Sequence, residues 1–325
     1  MSEGQFWREK LIDASDGDKR VSRTAKAHLL LILVTLIWGA TFVQVKDALR
    51  DVSPLLFNAL RMLLATAALF LLHLPHLRDM KLSTVLAGAR VGVFLWAGYE
   101  FQTAGLRLTT PSKSAFLTSV SVVLVPIFLL IFWRKAVGRW TVLGVAAAFA
   151  GLFLLTVPAG GRVWGDFRSV NLGDVLTLGC ALAFAFQIIF VGRATERHAF
   201  QPIAFLQIAT AALLMVPSVP LLEHAHIVWS WRVILALVVS ALLSTAFAFT
   251  TQSWAQQFMA ATNAALIFSL EPVFAWLMAY AILGERLQLR AALGAVLIVG
   301  GLLISELLGS REKKNQEAAP RQVAV

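Results

Sequence analysis

The sequence predicts an all-α polytopic membrane protein: ten transmembrane helices built as two inverted five-helix repeats. Three observations lead there. The composition suits a bilayer, ten apolar stretches of crossing length follow one another, and the halves of the chain echo each other at glycine and proline positions. Of 325 residues, 58% are hydrophobic and 14% charged, and the mean hydropathy is +0.76. A soluble domain is about 45–50% apolar and about 25% charged. One crossing takes about 20 apolar residues, so ten take roughly 200. That leaves no length for a soluble catalytic domain of about 100–150 residues.

Residues 1–26 read as a solvated tail that mixes six Lys/Arg with five acids. It has no apolar core and is not a cleavable signal peptide. The first repeat occupies 27–158, with apolar stretches at 27–46, 54–74, 86–106, 114–133 and 140–158. A linker over 159–171 carries Gly160, Gly161 and three charges. The second repeat occupies 172–308, with stretches at 172–192, 201–220, 232–254, 261–282 and 291–308, and a second tail fills 309–325.

Basic residues fix an expected orientation. With the N-terminus inside, cytoplasmic segments hold 17 Lys/Arg and the opposite loops nine. The positive-inside bias then places both tails in the cytoplasm of a cell (inner) membrane. The same bias accounts for the net charge of +10, so no nucleic-acid partner is expected. A single cysteine, Cys180, excludes a disulfide framework and a multi-cysteine zinc site. His73 with His76, and His224 with His226, read as interfacial residues rather than metal ligands, so no metal and no cofactor is expected.

The repeat is the most informative feature. At a shift of 146, Phe101 meets Phe247, Ala115 meets Ala261, Pro126 meets Pro272 and Gly138 meets Gly284. At a shift of 150, Gly144 meets Gly294 and Gly151 meets Gly301. Glycine and proline mark backbone geometry rather than greasy composition. Five spans per copy is odd, so the second copy is inverted relative to the first. Inverted repeats are typical of secondary transporters, with the substrate near the midplane between the repeats.

WGATFVQVK at 38–46, Leu60-Arg61, GLRLTTPSKSAFLTSVSVVLVP at 105–126 and SLEPVFAWLMAYAILGER at 269–286 resemble the drug/metabolite transporter superfamily. Within it the chain is similar to the EamA branch, with two EamA repeats over roughly 28–308. The resemblance implies a ten-helix carrier in a plasma membrane, commonly an exporter of amino acids or other small metabolites. It names no substrate.

Glu271 is the foremost site residue. A carboxylate at the bilayer centre costs about 2.5–3.5 kcal/mol on insertion scales. Either it binds a substrate ammonium or carries a coupling proton, or it serves structure by capping the break at Pro272 or pairing with Arg61. Its repeat mate is Val125, so the acid stands on one side of the pseudo-axis only. Arg61, seven residues into span two, invites pairing or an anionic substrate group; Arg90, near an edge, snorkels. In span three, Tyr99 with Gln102 and Glu100 with Thr103 share two alternative faces. Either face can line a cavity. Trp38 and Thr41, one turn apart around Gly39, offer an aromatic wall or core packing. Gln187, Gln252 and Asn263, with Gln207, Thr118 and Ser119, are cavity candidates or interhelical hydrogen bonders. Lys113 can attract anions or anchor the interface. Pro126 and Pro272 are expected hinges in spans four and nine.

Enzyme motifs such as HExxH, GxSxG and GxxxxGK[ST] are absent from the sequence, so an enzyme is not expected. The reading is a monomeric secondary transporter exporting small polar metabolites, amino acids first, by alternating access, proton-linked or facilitative. Its partners are a small-molecule substrate and the lipid bilayer. The alternatives are an organic-phosphate or nucleotide-sugar exchanger, which wants more deep cations than Arg61, and a non-transporting or lipid-handling membrane protein.

Overall fold

The structure is a computed structural model that describes residues 3–78, 80–106, 108–109, 111–157, 170–283 and 288–318. Most of the linker at 159–171 lies outside these residues, as do Arg286 and the Lys113 side chain. Ten spans among the described residues are long and apolar enough to cross a membrane. Spans one to three are the helices Glu3–Ala48, Pro54–Leu77 and Leu82–Leu106; span five is Arg139–Thr156. Spans six and seven are Leu172–Thr195 and Phe200–Leu222, and span ten is Leu289–Ala318.

The other three spans are broken. Span four consists of Pro111–Ser119 and Ser121–Trp133, and span nine of Ala261–Phe268 and Glu271–Leu283. Span eight runs Trp231–Val239, then a π-helical stretch Ser240–Phe247, then Ala248–Ala255. Such wide turns appear mostly as single-turn bulges inside α-helices, frequently at functional sites. The helices of spans one and ten extend beyond the bilayer-length stretches into both charged tails. Their Ala, Lys, Glu and Arg are good helix formers, and no proline follows residue 308 until Pro320.

The two prolines are not in equivalent settings. Pro126 is six residues into its helix, where it removes a backbone hydrogen bond. Pro272 is in the first turn of its helix, where the missing N–H would have no partner in any case. Val120 interrupts span four, and its mate at the shift of 146 is Leu266. The break in span nine falls at Ser269–Leu270, about one turn later. That offset makes Glu271 the first residue of a half-helix rather than the middle of a bent one.

Two apolar cores lie side by side. One joins Val125, Leu152, Ile189, Leu266 and Ile298 from spans four, five, six, nine and ten. The other joins Met62, Leu95, Met215 and Phe249 from spans two, three, seven and eight. Each draws on both repeats. Leu71, Leu213 and Val296 project outward, as side chains facing lipid do. Lipid removes the hydrophobic drive between helices, so close packing of small residues takes its place. Spans five and ten show it. A Cβ at Gly144 would lie 2.5 Å from the carbonyl oxygen of Gly301, and one at Gly301 would lie 2.5 Å from that of Gly144. Gly151 and Gly294 repeat the contact at 2.5 and 2.6 Å. Because Gly144 matches Gly294 and Gly151 matches Gly301, the pseudo-twofold exchanges these two contacts. The inverted repeat is thus visible atom by atom.

At one end of the bundle the loop after span one meets the loop after span seven. Val52 and Ile227 form an antiparallel bridge, and the Ser53 N–H donates to the His226 carbonyl at 3.0 Å. The Val228 N–H donates to the Asp51 carbonyl at 2.7 Å. Glu223 Oε2 accepts from the Leu55 and Leu56 N–H groups at 2.9 and 3.2 Å, satisfying the start of span two. At the other end His28 Nε2 lies 2.9 Å from Glu306 Oε2, and the Asn263 amide donates to Glu306 Oε1 at 2.6 Å.

Candidate functional site

The middle of the bundle gathers three of the predicted residues from three spans. Arg61 on span two is 8% exposed and donates from Nη2 to the Tyr99 hydroxyl on span three. The guanidinium also sits over the Tyr99 ring, 4.7 Å from its centroid, a cation–π arrangement. Tyr99 is held edge-on by Phe184 of span six at 5.6 Å, and Phe184 in turn lies against Gly98. Tyr99 is within electrostatic reach of Glu271 as well as of Arg61. Glu271 and Tyr99 each keep partial accessibility, whereas Arg61 is buried.

Among the described residues neither charge is paired with an opposite one. Glu271 has no hydrogen-bond or ion-pair partner among the described residues, and Arg61 has no carboxylate partner among them. Arg61 Nε is buried without any acceptor. Removing a charge from water without a compensating partner is costly, and such residues inside membranes mark substrate or ion pathways. Glu271 has one compensation: it opens a half-helix, where the N-terminal end of the macrodipole favours negative charge.

Span one closes the site beside Glu271. A Cβ at Gly39 would lie 2.7 Å from the Ala275 nitrogen and 3.0 Å from the Glu271 carbonyl oxygen, so only glycine allows this approach. Trp38 packs on Phe268 and Phe249 at 5.3 and 5.8 Å. Its indole N–H donates to the Ser244 carbonyl at 2.8 Å, and Thr41 Oγ1 lies 2.9 Å from Ser244 Oγ. Both residues are therefore held to the π-helical stretch of span eight.

The model for the EamA-like transporter family matches residues 25–157 and 171–307. The chain belongs to that family. An uncharacterized transporter of Archaeoglobus fulgidus is 34% identical over 281 residues, 86% of each chain. The EamA-type chain is also similar to a Salmonella typhimurium protein named a probable amino-acid metabolite efflux pump, 29% identical over 308 residues, covering 86% of this chain and 94% of that protein. The uncharacterized transporter YoaV of Bacillus subtilis is 27% identical over 306 residues, 89% of this chain and 99% of the relative. A solved crystal structure shares the fold with a TM-score of 0.72 at 20% identity, covering 88% of this chain and 99% of that one.

The remaining predicted residues of this EamA-type protein sit elsewhere. Glu100 is buried and Gln102 half-buried on span three. Gln187 and Gln252 belong to a closed amide cluster. Gln187 Nε2 donates to Gln207 Oε1 at 3.0 Å and to Gln252 Oε1 at 3.3 Å; Gln252 Nε2 donates to Gln187 Oε1 at 3.2 Å and to Gln256 Oε1 at 3.1 Å. Gln256 Nε2 donates to the Ile188 carbonyl at 2.9 Å, and Gln207 Nε2 to Ser253 Oγ at 3.1 Å. Asn263 serves the Glu306–His28 contact instead. Sequence reasoning passed over Phe184 as a supporting ring and Ser244 as an acceptor. Nothing local signals either, because a π-helical turn has no residue signature to read.

The pseudo-symmetry sharpens the contrast. Gln207 lies 146 positions after Arg61, so the two occupy matching places on spans two and seven. In the second repeat that place holds a saturated amide; in the first it holds a cation with a spare N–H. Where the second repeat has Glu271, the first has Val125. One repeat supplies the positive group and the other the negative.

Proposed function

We propose that this protein is a secondary carrier that exports small polar metabolites, amino acids before others, across the cell membrane by alternating access. The observation that carries the reading is that Arg61 and Glu271, one intramembrane charge from each repeat, have no oppositely charged partner among the described residues. The name borne by the Salmonella typhimurium relative supports the substrate class. Both tails are assigned to the cytoplasm on the 17-to-nine count of basic residues. In that orientation the loops joined by Asp51, Ser53 and His226 lie outside, and the His28–Glu306 contact lies inside. Opening to either side requires one of these closures to part. Spans five and ten, packed backbone against backbone, serve as the fixed seam.

Counterflow in proteoliposomes tests the reading. Purified protein, preloaded with mixed unlabelled amino acids, accumulates labelled ones, and Glu271→Gln abolishes the uptake. Absence of exchange by protein shown to be folded overturns the amino-acid assignment.

A further inference from the structure

The two unpaired charges also specify how a ligand is recognised, an inference that rests on the carrier reading above. A lone guanidinium in the membrane favours an anion, and a lone carboxylate favours a cation. Tyr99, which accepts from Arg61, is within electrostatic reach of Glu271, and the two charges make no ion pair with each other among the described residues. A ligand carrying only negative charge meets Glu271 as well as Arg61, and one carrying only positive charge meets Arg61 as well as Glu271. The solute that satisfies both is a zwitterion with its opposite charges a few bonds apart.

The donors on the Arg61 side fit a carboxylate. Tyr99 Oη already accepts from Arg61 Nη2, so its own O–H is left to donate. Arg61 Nε–H is buried with no acceptor. These two donors belong to touching side chains, and a carboxylate accepts from such a pair through its two oxygens. On the other side Glu271 is acceptor-only when ionised, which suits an ammonium with three donors.

We infer that Arg61 and Tyr99 of the first repeat hold the carboxylate of an α-amino acid while Glu271 of the second repeat holds its ammonium. The ligand itself then supplies an ionic link between the two repeats. A saturated amide at the matching place, Gln207, explains why the second repeat offers no equal site.

The test is competition in counterflow with the full-length protein. Uptake of mixed labelled L-amino acids is challenged with a tenfold excess of the matching α-amino amides, which lack the carboxylate charge, or of the α-keto acids, which lack the ammonium. Unlabelled amino acids compete, and neither analogue set does. Arg61→Gln lowers apparent affinity for amino acids about 10- to 100-fold, the worth of a charge-assisted hydrogen bond. It also lets the amides compete as well as the acids. Glu271→Gln, which blocks counterflow, is read instead by equilibrium binding of labelled amino acids to the purified protein, where it lowers their affinity and removes the discrimination against keto acids. Arg61→Lys keeps the charge and recovers part of the affinity, which separates lost recognition from lost folding. Amides or keto acids competing fully with wild-type protein would overturn the zwitterion site while leaving the carrier standing. Exchange of amines or organic acids without amino-acid exchange has the same effect. No exchange of any of them overturns the carrier reading itself.

Discussion

The seam between spans five and ten permits a prediction with its own controls. A methyl group at Gly144 would sit 2.5 Å from the Gly301 carbonyl oxygen. A C···O contact settles at about 3.3–3.6 Å, so the two helices must separate by about 1 Å. The obstructing atom is backbone and cannot rotate away. Overpacking of this kind costs about 1–3 kcal/mol, and replacing a helical glycine by alanine returns about 0.5–1 kcal/mol. Gly144→Ala should therefore destabilise by about 0.5–2 kcal/mol. Gly301→Ala, and the symmetry-related Gly151→Ala and Gly294→Ala, should cost the same within a few tenths. The double variant Gly144→Ala/Gly301→Ala should cost less than the sum, because the first methyl already opens the seam for the second. Gly300, one residue away, has nothing within 4 Å of its would-be Cβ, so Gly300→Ala should be neutral or slightly stabilising. Unfolding in mixed detergent micelles, followed by tryptophan fluorescence, measures all six. If Gly144→Ala melts like wild type, or Gly300→Ala is as harmful as Gly144→Ala, the close-approach argument fails.

Gly39→Val should impair counterflow more than it impairs stability, because the Glu271 half-helix must shift away from span one; equal transport by the variant would show that this contact does not position Glu271. Gln187→Leu leaves Gln207 and Gln252 each short of a partner in the bundle interior. With interhelical hydrogen bonds worth about 0.6 kcal/mol each, a loss of about 1–2 kcal/mol in the same unfolding assay is expected, and an unchanged midpoint would contradict it. Glu223→Ala frees the first two N–H groups of span two and should cost about 1 kcal/mol, as loss of a helix cap does. It should also speed proteolysis of the loop at 223–230, whereas unchanged cleavage would remove Glu223 from that closure.

The ten crossings were legible because a bilayer imposes length and hydropathy on every span, and the inverted repeat because glycine and proline report geometry in the sequence itself. The repeat marks Gly144 and Gly301 as positions of backbone geometry, and in the structure each lies against the other's carbonyl. The site was legible only in part. Arg61, Tyr99 and Glu271 stand out as intramembrane polar residues, but which of them share a region depends on how spans two, three and nine are arranged, and that is a long-range property. Gln187 and Gln252 look the same in the sequence as the residues proposed to bind. Only the four-way arrangement of amides separates a saturated cluster from a pair of spare charges. Trp38 was an aromatic wall or core packing on sequence grounds, and its bond to Ser244 depends on the π-helical stretch, which follows from no local pattern.

The amide cluster has a polarity. The Ile188 carbonyl can only accept, so Gln256 must turn its NH₂ toward it and its oxygen toward Gln252. Gln252 is then obliged to give its nitrogen to Gln256 and its oxygen to Gln187, and Gln187 its nitrogen onward to Gln207. One backbone oxygen therefore dictates the facing of four side chains in succession, as a first domino dictates a row. Sliding span eight past span six by a turn would carry Gln252 and Gln256 together out of register with Gln187 and the Ile188 carbonyl. The cluster thus works as a key with a single cut: it fixes the alignment of spans six, seven and eight, and leaves motion to helices whose contacts have no such direction.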